Sequence, residues 1–373
     1  MKFFNREKEI KEVLSVIESE PQLIHFIYGP INSGKTALIN EIIKNRLDKS
    51  RYEVIYINLR GRFIEDYKSF IKVLFNVKKE SFREKIKNFF KGLFFSLPRV
   101  LNKEAIKRVS SGILEGIPIA ESLLEKFLKK NKIEDVFVFL ENYFENVRKK
   151  EKIPILIIDE FQVIGDLKIN GFLIYKLFNF FIHLTKERHL AHVFCLSSDS
   201  LFIEKVYNEG KLEGRAKYIL VDDFEKKEAI EFLSFLEKEI LRKENFLSQS
   251  EKEKVYDLVG GKPVYLVSII NDLKTKPLDK VLSYLLQDEK QKIKYFLEDI
   301  EERDIELYKK VINVFKFFQD KEEIPDSLVK KSLKEFLVNK NILFLDPVKG
   351  ILKPQSRLTW HAINKTLKEL NLV

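Results

Sequence analysis

Eight consecutive residues, Gly29-Pro30-Ile31-Asn32-Ser33-Gly34-Lys35-Thr36, carry the spacing G-x-x-x-x-G-K-T. That spacing suits a chain of phosphates. Backbone N–H groups of a tight loop converge on phosphate oxygens, and glycines permit the curl. Lys35 is then placed to reach the β- and γ-phosphates, and the Thr36 hydroxyl to ligate Mg²⁺. From Ala37 the chain runs on into a helical pattern, whose positive N-terminal end also favours an anion. Residues 29–37 are therefore the expected phosphate contacts. A second segment, Ile155-Leu156-Ile157-Ile158-Asp159-Glu160, leads four apolar residues into two acids. This places Asp159 at the carboxyl end of a central strand, where it is expected to hold Mg²⁺ through water. Glu160, one residue on, is expected to orient and polarise an attacking water. The acid pair favours hydrolysis over transfer to a small molecule.

Positioning these groups requires a sheet. Short apolar runs at Leu23–Gly29, Tyr52–Asn58, Pro154–Asp159, His192–Ser197 and Lys217–Val221 read as buried strands, and helical patterns separate them. Buried strands alternating with helices mean an α/β fold with a parallel sheet, five-stranded by this count. The core is expected over 1–222, with a helical insertion at about 61–150 in which DVFVFL (Asp135–Leu140) reads as helix. Helical patterns then fill 223–302, the expected lid. In 303–373, helices at Ile305–Phe318 and Asp326–Leu337 precede strands NILFL and ILKP, joined by the turn Asp346–Gly350, and a last helix from Arg357. Helices followed by a small hairpin resemble a winged helix.

Together the motifs resemble the archaeal ATPase family, P-loop ATPases of the AAA+/STAND type, over roughly residues 1–300. Phe4-Asn5-Arg6-Glu7 is similar to the family's opening F-x-N-R-E element, which implies that Asn5 and Arg6 lie near an adenine. Ser197-Ser198-Asp199 occupies the sensor-1 position, implying that Ser198 reports on the γ-phosphate. Gly214-Arg215 is similar to the family's G-R pair. Arg215 is either an arginine finger acting on a neighbouring subunit or an internal ion-pair partner. Gly260-Gly261-Lys262-Pro263-Val264-Tyr265-Leu266 is similar to its G-G-x-P-x-Y-L element, which implies that Gly261 and Pro263 help close the lid over the nucleotide. Lys262 itself reads as a solvated charge, with a phosphate contact as the alternative. The nucleotide is expected to be ATP or ADP with Mg²⁺. A guanine site usually needs an N/T-K-x-D loop after a strand, and Thr275–Asp279 has one residue too many and lies outside the sheet.

Lys+Arg number 67 and Asp+Glu 57, a net charge of +10 that suits a polyanionic partner. Ten basic residues between Lys78 and Arg108 face only three glutamates and alternate with five phenylalanines, so this stretch is a basic amphipathic candidate for a partner or anionic surface. The C-terminal lysines 330, 331, 334, 349 and 353 leave double-stranded DNA or a protein open as partner. An oligomer is also open. A single cysteine, Cys195, excludes a disulfide framework, and the spacing of His183, His189 and His192 fits no standard zinc site. A charged N-terminus and the lack of a long apolar run imply a cytoplasmic protein without a membrane partner. The leading expectation is a Mg-dependent ATPase that acts as a conformational switch on DNA or protein. The alternative is a DNA-binding regulator that holds ATP or ADP structurally. A P-loop kinase is a third reading, which Glu160 disfavours.

Overall fold

The computed structural model describes residues 2–77, 113–130, 132–169 and 171–372, so the basic stretch Lys78–Arg108 lies outside the described residues. The chain opens with α1 (Glu7–Glu18), β1 (Ile24–Tyr28), α2 (Lys35–Glu41) and β2 (Tyr52–Asn58). Next come α3 (Tyr67–Leu74), β3 (Phe75–Val77), β4 (Ile113–Glu115), β5 (Ile117–Ile119), α4 (Glu121–Lys130) and α5 (Ile133–Arg148). The alternation resumes with β6 (Ile153–Asp159), α6 (Leu173–Ile182), β7 (His192–Ser197), α7 (Ser200–Tyr207) and β8 (Ala216–Leu220).

All five expected strands form, and they pair in parallel within a sheet ordered β4-β2-β6-β7-β1-β8. The sheet has six strands rather than five. The added edge strand, β4, falls in the stretch expected to be helical, as does the small β3-β5 pair. Three residues are too few for a period-two pattern to emerge, so neither piece announced itself in the sequence. Asp135–Leu140 does lie in a helix, α5, which buries Val136, Phe139, Leu140 and Tyr143 at helical spacing. Every residue of β1 is buried, because apolar clusters cover both faces of the sheet.

Beyond the sheet come α8 (Lys226–Leu236), α9 (Gln249–Val259), α10 (Pro263–Asp272) and the 26-residue α11 (Leu278–Arg303). Helices α8 to α10 share one apolar cluster with Val281 and Leu282 from the first part of α11. Ile293, Leu297 and Ile300, from its second part, belong to a different cluster. That cluster is completed by α12 (Ile305–Lys316), β9 (Ile324–Pro325), α13 (Lys331–Asn339), β10 (Leu343–Asp346), β11 (Ile351–Pro354) and α14 (Arg357–Glu369). At 1.5 Å per residue α11 is a rod about 39 Å long that forms part of both cores.

The C-terminal hairpin β10-β11 appears where expected, and β9 adds an unanticipated third antiparallel strand. The turn is tied by Gly350 N–H to the Asp346 carbonyl, while the Asp346 carboxylate accepts from Val348 and Lys349 N–H. The helix expected from Asp326 begins at Lys331 instead. Asp326–Leu328 form a short 3₁₀ turn, and the Asp326 carboxylate accepts from Lys334 Nζ at 2.8 Å.

Candidate nucleotide site

The loop 29–34 joins the end of β1 to the start of α2. Gly34 sits at φ 100°, a left-handed conformation that would strain other residues, and no side chain caps α2. Lys35 Nζ donates to the Gly29 and Pro30 carbonyls, both at 2.9 Å. Its burial lowers the ammonium pKa to about 8, against the pull of Glu160, while the charge of Lys262 lowers it further. Asn32 takes a left-handed turn at φ 62°. The Ser33 hydroxyl is fully buried and has no partner among the described residues.

β6 delivers the two acids beside this loop. Asp159 Oδ2 accepts from Thr36 Oγ1 at 2.8 Å and from Tyr56 OH at 2.7 Å, and Oδ1 accepts from the Glu160 N–H at 3.0 Å. Thr36 and Asp159 thus converge as hard oxygen donors of the type Mg²⁺ takes, and the residues fit that ion. Burial, then the Asp159 charge, pushes the Tyr56 phenol well above its ordinary pKa, so it remains a donor. Glu160 is left-handed at φ 59°, ψ 44°. Its Oε1 accepts from Arg60, and its Oε2 from Gln162 Nε2 at 2.6 Å and Ser198 Oγ at 3.2 Å. Burial would raise the carboxyl pKa, but the hydrogen bonds from Gln162 and Arg60 prevail and hold it below the usual value. Glu160 is therefore an ionised, oriented carboxylate next to the phosphate loop, with Ser198 at its side.

The N-terminal element closes the other flank. Two successive left-handed residues, Asn5 and Arg6, turn the chain so that Arg6 is buried. Arg6 donates to the carbonyls of Ser33 at 2.8 Å and Asp222 at 2.6 Å, and lies 4.2 Å from the centroid of the Phe224 ring. Asn5 Nδ2 reaches Glu228 on α8 at 3.0 Å. Arg6, Gly34, Ala37, Phe224, Phe232 and Pro263 border an open cleft of about 590 Å³. Its aromatic and aliphatic walls beside the phosphate loop suit a flat base.

Gly261 accepts from the Phe224 N–H at 3.0 Å, and a Cβ there would come within 1.7 Å of the Phe224 carbonyl oxygen. Only glycine permits this approach, which brings Pro263, the first residue of α10, to the cleft. Lys262 corrects the sequence reading. It is 4% exposed rather than solvated, and its Nζ donates to the Ile31 carbonyl at 3.0 Å and to Asp223 at 3.3 Å. A half-buried carboxylate and an open carbonyl outweigh the ordinary preference of lysine for water.

The structure does not bring Arg215 to the loop. Ala216, the next residue, pairs with Ile24 at the start of β1, whereas the loop follows its end. Arg215 Nη1 donates to the Lys211 carbonyl and makes no internal ion pair among the described residues. Sequence reasoning missed Tyr56, Arg60 and Gln162, which clasp the two acids. Gln162 stood two positions after Glu160 and Arg60 two positions after β2, but no spacing rule distinguishes them from other polar residues.

Sheet, loop and acid pair together define a P-loop nucleotide-binding protein. Residues 3–269 match the family described as "ATPase domain predominantly from Archaea", and 279–367 match the C-terminal domain of "Uncharacterized ATP-binding protein MJ1010-like". Two Methanocaldococcus jannaschii proteins, the uncharacterized ATP-binding proteins MJ0632 and MJ0439, are each 54% identical over 98% of this chain and over 100% and 97% of their own lengths. The chain belongs to this archaeal ATPase family and is an ATP-binding protein. The Walker-type ATPase PABY2304 of Pyrococcus abyssi shares the fold, with a TM-score of 0.60 and 19% identity over 97% of this chain and 96% of that one. No described helix is long and apolar enough to cross a membrane.

Proposed function

We propose that this protein is an ATP-hydrolysing switch with three parts, a core over 1–222, a lid over 223–302 and a winged-helix-like module over 303–373. ATP lies with its phosphates in the loop 29–37 and its base in the cleft near Asn5, Arg6, Phe224 and Pro263. Thr36 and Asp159 would hold Mg²⁺, which supplies charge neutralisation to the phosphates. Lys35 leaves its two carbonyls for the β- and γ-phosphates. Glu160 accepts a proton from the attacking water, and Ser198 at its side relates carboxylate position to phosphate state. Loss of the γ-phosphate loosens the lid, and α11 carries that motion into the C-terminal module.

The observation that carries this reading is the meeting of Lys35, Thr36, Asp159 and Glu160 at one end of the sheet, with the last ionised and aimed by three side chains. In the described conformation α13, the helix that would enter a DNA groove, is turned inward. Lys334 pairs with Glu204 of the core at 2.7 Å, and Phe336 stacks on Phe296 of α11. That favours a module released by nucleotide over one permanently displayed to double-stranded DNA. Glu160→Gln should lower ATP turnover by about 10²- to 10⁴-fold while ATP affinity changes little. Turnover at the wild-type rate would remove Glu160 as the base. Running the assay with and without duplex DNA at several salt concentrations tests the partner, since phosphate contacts weaken steeply with salt.

A further inference from the structure

Arg215 stands away from the nucleotide loop, and beside it lies a row of rings and cations drawn from three segments of the core. We propose that this row is a binding surface for single-stranded DNA, with Phe172 and Tyr175 as stacking platforms and the cations as phosphate contacts. It is a second site, and it does not depend on the reading of residues 29–37.

After β6 the chain doubles back, with Lys168 bridged to Phe172 in antiparallel pairing, and this sets Phe172 just before α6 with 40% of its surface exposed. Tyr175, half-buried in the first turn of α6, meets that ring edge-on with the centroids 6.0 Å apart. Three ammonium groups lie over the two rings. Lys168 Nζ is 4.9 Å from the Phe172 centroid, and Lys205 Nζ, reaching over from α7, is 6.0 Å from it. Lys211 Nζ, from the link between α7 and β8, is 5.2 Å from the centroid of Tyr175. Arg215 continues the row and donates to the Lys211 carbonyl at 3.2 Å. Among the described residues Lys168, Lys211 and Arg215 have no carboxylate partner, and Lys205 has only the exposed Asp166 at 3.4 Å.

The make-up of the row selects the partner. A large ring left in water beside unpaired lysines suits a ligand that brings both a π-face and negative charge. Protein interfaces favour aromatic residues and arginine but are depleted in lysine. Duplex DNA brings phosphates but keeps its base faces stacked inside, so the rings gain nothing from it. A single strand offers base faces to the rings and its backbone to the cations. The energetics agree. A lysine over an exposed ring contributes about two- to fivefold in an equilibrium. Stacking a base on a ring contributes about five- to a hundredfold in affinity. A base therefore displaces the ammonium from the ring, and the freed ammonium is already beside the strand's phosphates. Asp166, Glu209 and Glu213 in the same segments keep the local charge excess small, so the rings and not charge alone supply the affinity. Rings and ammonium groups leave a sugar 2′-hydroxyl without a dedicated acceptor, which makes the strand DNA rather than RNA.

The test is fluorescence anisotropy of the full-length protein with a labelled oligothymidylate of about 12 nucleotides and with a duplex of the same length. The single strand should bind about tenfold tighter than the duplex or better. Phe172→Ala should weaken single-strand binding by about fivefold or more, and Phe172→Trp, which keeps a stacking face, should stay within about twofold of the wild type. Lys211→Met and Arg215→Met should each weaken binding and flatten the slope of log affinity against log salt by about 0.7. ATP affinity and thermal melting should change little in all four variants, which separates loss of the surface from loss of the fold. A duplex bound as tightly as the single strand, or Phe172→Ala as tight as the wild type, would reduce the row to general attraction by a chain of net charge +10 and overturn the proposal. So would tighter binding of an oligouridylate of the same length, which would make the ligand RNA. A wild-type dimer in sedimentation that Phe172→Ala disperses would also overturn it, because the row would then face a second copy of the chain.

Discussion

Two backbone conformations at the site are unfavourable for the residues that hold them. Arg6 at φ 69° and Glu160 at φ 59° both lie in the left-handed region, at a cost of about 1–2 kcal/mol each. Each is kept there by its side chain, through two carbonyls for Arg6 and three donors for Glu160. The Arg60 contact has a consequence for pH. Hydrolysis needs ionised Glu160, so the rate falls as pH drops through its pKa. Arg60→Ala removes a cation that lowers that pKa, so the acid limb of the pH–rate profile should move to higher pH. An unmoved limb would show that Glu160 is not the group titrating. Lys35 gives the opposite limb. Phosphate binds its charged form and raises its pKa above the free value of about 8, so binding takes up a proton in the interval between the two. ATP affinity should accordingly be level below pH 8 and fall above it, by at most about tenfold per pH unit. Titrations from about pH 7 to 9.5 measure this, and Lys35→Met, weaker throughout, should lose the slope.

Where the chain enters the lid, one backbone contact, between Phe224 and Gly261, tolerates no side chain. Gly261→Ala would drive a methyl group into the Phe224 carbonyl, so the strand-to-lid link and the start of α10 must separate. Overpacking of this kind costs about 1–3 kcal/mol, and thermal unfolding should show it together with weaker ATP binding. Unchanged melting and affinity would mean that the lid position is not set there. The same segment shows what was legible beforehand. The loop, the acid pair and all five long strands were readable because each rests on a dense local pattern, with glycines at fixed spacing or apolar runs bounded by turns. Asn5 and Arg6 were placed only through resemblance, since two polar residues before a helix have no pattern of their own. β4, β9 and the β3-β5 pair were invisible because two or three residues carry no periodicity. Lys262 was misread because its burial depends on Asp223 and Ile31, partners 39 and 231 positions away in the chain. Arg60 was missed because it acts on Glu160 from 100 positions away, and Gln162, only two positions on, because no spacing rule marks a polar residue there.

At the scale of the whole molecule, the C-terminal module meets the core at the residues that frame the nucleotide loop. Tyr28, immediately before Gly29, donates its hydroxyl to buried Asp346 at 2.7 Å. Lys353 on β11 pairs with Asp222 at 2.6 Å, and the Asp222 carbonyl also receives Arg6. Both contacts join the hairpin β10-β11 to residues flanking the site, while α11 ties the module to the lid. A nucleotide-dependent movement of loop or lid therefore acts on the module from two sides. Tyr28→Phe leaves Asp346 buried with only turn N–H groups and a distant Lys349 as partners, and should cost about 1–3 kcal/mol at this seam. Asp346→Asn should cost a similar amount, and because the two groups share one bond, the double variant should cost less than the sum. Hydrogen exchange should locate the loss: faster exchange in β10 and β11, with β7 and the buried β1 still protected. Uniform acceleration across both would mean that hairpin and core unfold as one unit, and additive costs would mean that the Tyr28–Asp346 bond does not couple them.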